Sequence, residues 1–87
     1  MIATYNAPGA PAATYTNPTD RELLALILRA PDGAVIGVNT EIGSATFNVM
    51  PGAYRIARHV ETRSHVKTFA ALDTAISVFL EQVELLS

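Results

Sequence analysis

The chain has 87 residues, of which 49% are hydrophobic and only 16% charged, and its net charge is −2. That length holds one domain, and near-neutrality argues against generic coating of nucleic acid. Cysteine is absent, so neither a disulfide nor a thiolate metal site can reinforce so small a core.

Residues 1–18 are rich in Ala, Pro, Thr and Asn, a composition with little to bury. They are expected to form an N-terminal arm ahead of a single α+β domain over 19–87. The alternative is an edge hairpin turning at Pro8-Gly9, with Tyr5 and Tyr15 packed on the domain. Residues 19–30 are expected to be helical. Thr19 and Glu22 make a capping box, and Leu23, Leu24, Ile27 and Leu28 form one apolar stripe. Ala30-Pro31-Asp32-Gly33 has the composition of a type I turn, which keeps a hairpin of 23–29 with 34–39 as the competing reading.

Strands dominate from Ala34. Val35, Ile36 and Val38 are β-formers that run into a polar turn around 39–44. Phe47 and Val49 approach the Pro51-Gly52 pair, a type II turn signal, and Tyr54 and Ile56 leave it on the same face. Alternation then continues: Tyr54, Ile56, Val60 and Val66 take one parity, and Arg55, His59, Glu61, Arg63, His65 and Lys67 the other. An unbroken strand of that length is atypical, so a reversal at Thr62-Arg63-Ser64 is expected, giving strands 53–61 and 65–69. In that register Glu61 faces His65. Residues 70–86 read as an amphipathic helix with Leu72, Ala75, Ile76, Phe79, Leu80, Val83 and Leu86 inward and Thr68 as its cap. Val78 and Leu85 lie one heptad apart, off the main stripe, and are read as a dimer seam. The expected architecture is a small antiparallel sheet of three to five strands packed against a C-terminal amphipathic helix, with a second helix at 19–30.

Catalytic signals are lacking. No glycine precedes a Lys-Ser or Lys-Thr pair, and Gly43-Ser44-Ala45 lacks the second glycine of a nucleophile elbow. His59, Glu61 and His65 are the one candidate metal set, and their spacing matches no established signature. No enzyme activity, cofactor or metal is therefore expected. Residues 23–36 are similar to the first helix and turn of small winged-helix domains, and 51–55 to the end of AraC-type regulator domains. Neither likeness extends beyond its fragment, and no family follows from them.

Charge is segregated. Arg55, Arg58, Arg63 and Lys67 are four of the six basic residues and are opposed in their segment only by Glu61. Asp73, Glu81 and Glu84 are the only charges after Thr68, and two of them stand at the unfavourable end of the helix dipole. Arg58 falls on the apolar parity, where a charge must pair, snorkel or meet a partner. Arg55, Arg58, Arg63, Lys67, Glu81 and Glu84 are thus the candidate partner-binding residues.

With so little charge, apolar surface stays exposed, and a homodimer is expected. The first residues lack a basic n-region and no apolar run reaches membrane-spanning length, which points to a cytoplasmic protein with no membrane partner. The functional expectation is a protein-interaction module, similar in type to the small inhibitors and regulators of phages and mobile elements, anti-CRISPR proteins among them. The alternative is a dimeric DNA-binding regulator using a basic strand face.

Overall fold

The computed structural model describes all 87 residues and contains six strands and two helices. Strands β1 (Ile2–Asn6) and β2 (Ala13–Thr16) precede helix α1 (Asp20–Arg29). Strands β3 (Val35–Asn39), β4 (Gly43–Met50), β5 (Ala53–Val60) and β6 (Arg63–Phe69) follow, and helix α2 (Leu72–Leu85) closes the chain. All strands join one antiparallel sheet in the order β2-β1-β3-β4-β5-β6, one strand more than the largest sheet expected from the sequence.

The added pairing comes from residues 1–18, which are not an arm. Ile2, Thr4 and Tyr5 are good strand formers, and their alternation places Ala3 and Tyr5 on the buried face. Pro8 and Gly9, the latter at φ 75°, turn the chain back, and Ala10 N–H donates to the Ala7 carbonyl at 3.2 Å. β1 is no edge, because β3 returns beside it with Ala3 opposite Val38 and Tyr5 opposite Ile36. β2 alone is the margin on that side.

α1 forms as expected, but it buries Leu23, Leu26 and Ile27 in place of the full expected stripe, leaving Leu24 half-buried and Leu28 exposed. Thr19 Oγ1 accepts from Glu22 N–H at 3.2 Å, and Glu22 Oε1 accepts from Thr19 N–H at 3.0 Å, completing the capping box. Its guanidinium at Arg29 stands 5.0 Å over the Tyr5 ring and donates to Tyr15 Oη at 3.2 Å, which ties the helix to β1 and β2. α2 packs over β4, β5 and β6 and touches α1. Its cap position is Ala71, which makes no side-chain cap bond; Thr68, the expected cap, is inside β6.

Both helices lie on one face of the sheet, and the core is between. Ala3, Tyr5, Ile36, Val38, Ala45, Phe47, Val49 and Ile56 meet Leu23, Leu26, Ile27, Ala75, Phe79, Val83 and Leu86. Phe47 sits at its centre, with ring centroids 5.8 Å from Tyr54 and 5.6 Å, edge-on, from Phe79. The other sheet face carries Thr4, Thr46, Asn48, Arg55 and His59 and has no covering layer. Neither helix is long and apolar enough to cross a membrane.

Candidate functional site

The register of the last hairpin decides where the charges go. β5 and β6 are joined by Glu61 and Thr62 alone, with Val60 opposite Arg63, Arg58 opposite His65 and Ile56 opposite Lys67. This differs from the expected three-residue reversal, and strand β5 ends at Val60 while β6 starts at Arg63. Facing residues in a ladder share a side, so shortening the turn by one residue inverts the whole of β6. Arg63, His65 and Lys67 therefore lie with Ile56 and Arg58 on the helix side. Val66 moves to the open face with Arg55, Ala57 and His59.

Two expectations fall with that inversion. The basic residues do not form one strand face, since Arg55 stands on the opposite side from Arg58, Arg63 and Lys67. Nor do His59, Glu61 and His65 converge. Glu61 is in the turn rather than facing His65, the two histidines point to opposite faces, and His59 Nδ1 shares a 2.7 Å hydrogen bond with Ser64 Oγ on the open side. No group of three or more such side chains is placed to hold a metal ion.

The helix side of β5 and β6 gains a constellation instead. Between these strands and α2 runs a groove of about 240 Å³ lined by Ile56, Arg58, His65, Lys67, Val78, Glu81, Gln82 and Leu85. α2 leaves this margin uncovered because its inward stripe turns toward β4 and β5. Val78, Glu81, Gln82 and Leu85 recur at helical spacing on the flank that faces β6. Ile56 and Val78 form an apolar floor, and Leu85, 58% exposed, stands at its rim. Arg58 reaches in from β5 with its Nε buried and without a hydrogen-bond partner. Such a group costs about 1–3 kcal/mol unless something outside the chain satisfies it.

Of the eight residues singled out from the sequence, Arg58, Lys67, Glu81, Val78 and Leu85 meet in this groove. Arg63 is on the same side of the sheet, nearer the turn. Arg55 is exposed on the opposite face, and Glu84 is exposed on α2 outside the groove. His65, Ile56 and Gln82 complete the lining without having been singled out as partner-binding residues. Gln82 was accessible from its position four residues after Val78; His65 was not, because its side depends on the turn length. A second hollow of about 330 Å³ lies among Met1, Thr40, Glu41, Ile42, Leu86 and Ser87 and gathers no comparable set of charges.

No family model matches this chain, and no curated protein or solved structure matches it.

Proposed function

We propose that this protein is a non-enzymatic protein-interaction module, of the small inhibitor or regulator type, and that it binds its partner through the groove between β6 and α2. One observation carries the reading: Arg58 is held half-buried over an apolar floor with an unsatisfied Nε, beside Lys67, Glu81 and the exposed Leu85. A folded chain in isolation gains nothing from that arrangement. A partner that supplies an acceptor and apolar surface recovers both costs. The register disperses His59, Glu61 and His65, so the reading draws nothing from that set. Duplex DNA binding by the four basic residues together is less favoured, because Arg55 faces away from the other three.

Affinity capture from the native host, read by mass spectrometry, tests the module directly. Arg58→Met and Lys67→Glu should each lose the captured partner, whereas Arg55→Glu on the opposite face should retain it. Arg58→Met should also raise folding stability by about 1 kcal/mol, since it removes the orphaned donor and keeps the packing volume. Capture that is indifferent to both groove substitutions would remove the groove from the proposal.

A further inference from the structure

The two margins of the sheet are treated differently. β2 is a four-residue edge between Pro11 and Pro18, with Tyr15 engaged by Arg29. Shortness and flanking proline are ordinary ways of closing an edge to further strands. β6 is seven residues long, contains no proline, and is exposed from Arg63 through Thr68. Its outward main chain follows from the hairpin. In a two-residue connection the closing pair, Val60 and Arg63, exchanges both of its hydrogen bonds, and bonded and non-bonded pairs then alternate. Arg58–His65 and Ile56–Lys67 are thus bonded pairs, while Ser64, Val66 and Thr68 aim their N–H and C=O groups at the free edge.

Side chains along β6 define what can occupy that edge. On the helix side an added strand meets Arg63, His65 and Lys67, with Arg58 behind them and Glu81 of α2 as the single acid against three cations. On the open side it meets Ser64, Val66 and Thr68, where Val66 is 54% exposed. A second copy of this chain is a poor occupant. Antiparallel pairing of two β6 strands about Val66 sets the two Lys67 side chains diagonally beside each other on the helix side, with both copies' Arg63 and Arg58 on that same side, and like charges at that range repel. The inward-pointing cations that discourage this chain's own edge select an acidic one.

We infer that β6 is a strand-addition site for an extended segment of another protein, in which acidic residues alternate with apolar or β-branched ones. Its acids face α2 and meet Arg63, Lys67 and Arg58, and its alternate residues cover Val66. Main-chain bonds to Ser64, Val66 and Thr68 supply the ladder, and the charge pattern supplies the selection. The inference rests on the protein-binding reading of the groove and adds to it the geometry and chemistry of the partner.

A capped eight-residue peptide of alternating glutamate and valine is the probe, titrated into the labelled protein at low ionic strength and followed by amide NMR. Binding should shift resonances across Arg63–Phe69 and the groove face of α2, and should slow exchange at the Ser64, Val66 and Thr68 amides. Val66→Pro removes an outward N–H that β5 does not use, and it should weaken the peptide by about tenfold or more. A fully N-methylated peptide must lose binding in the same way with the protein untouched. Replacement of its glutamates by lysine should also abolish the shifts. The inference is overturned if the acidic peptide leaves β6 unperturbed, if the lysine peptide binds equally well, or if light scattering shows a dimer that Val66→Pro dissociates. Host-partner capture that remains sensitive to Arg58→Met after such a result keeps the groove and discards only strand addition.

Discussion

Two residues carry conformations or environments that the folded chain alone does not reward. Arg58 is one, with its buried and unpartnered Nε. Glu61 is the other: its φ of 55° puts it in the left-handed region, and it opens the two-residue β5–β6 turn where glycine is the usual occupant. That conformation costs a non-glycine residue about 1–2 kcal/mol. Glu61→Gly should accordingly stabilise the protein by about 1 kcal/mol, measured by urea unfolding at equilibrium. Unchanged or lower stability would mean that the Glu61 side chain contributes a contact worth as much as the strain. The register of β6, and with it the side on which Lys67 and His65 lie, turns on this one connection.

At the scale of elements, the two helices differ in how their ends are made. α1 is stopped and started by its own sequence, with the reciprocal Thr19 and Glu22 bonds at its N-terminus. α2 begins at Ala71 without a side-chain cap, carries Asp73 in its first turn and has no basic residue in its last. Its stability comes from packing Ala75, Phe79 and Val83 onto the sheet. Thr19→Ala should therefore cost about 1 kcal/mol, whereas Ala71→Ser should add a few tenths to about 1 kcal/mol, both read from thermal unfolding. At its C-terminus Leu86 N–H and Ser87 Oγ donate to carbonyls of the last turn, so only the N-terminal end of α2 depends wholly on the core for its position.

For the molecule as a whole, one core layer holds every element, and Phe47 is where its two halves meet. It contacts Tyr54 from β5 and Phe79 from α2 and is fully buried. Phe47→Ala should cost about 3–5 kcal/mol. For a chain of this size the midpoint of thermal unfolding should then fall by roughly 12 °C or more. A much smaller drop would show that the sheet and helices are held together elsewhere. The same one-sided layering leaves the sheet's outer face and the β6 margin uncovered, as a core of this size cannot reach both faces.

Local chemistry was enough for the helices, for the Pro51-Gly52 hairpin and for the inward residues of β4 and α2, because capping, turn type and periodicity act over a few neighbouring residues. Five of the groove's eight lining residues were likewise visible as charges or apolar positions out of place. Two matters required the tertiary structure. The Pro8-Gly9 turn already offered residues 1–18 as a hairpin, but the choice of hairpin over arm came from Ala3 and Tyr5 finding Val38 and Ile36 more than thirty positions away, a partner that no local preference announces. The side taken by Arg63, His65 and Lys67 depends on whether the reversal spans two residues or three. Side chains in a strand alternate with a period of two, so a single residue in a turn moves an entire charged strand from one face of the sheet to the other.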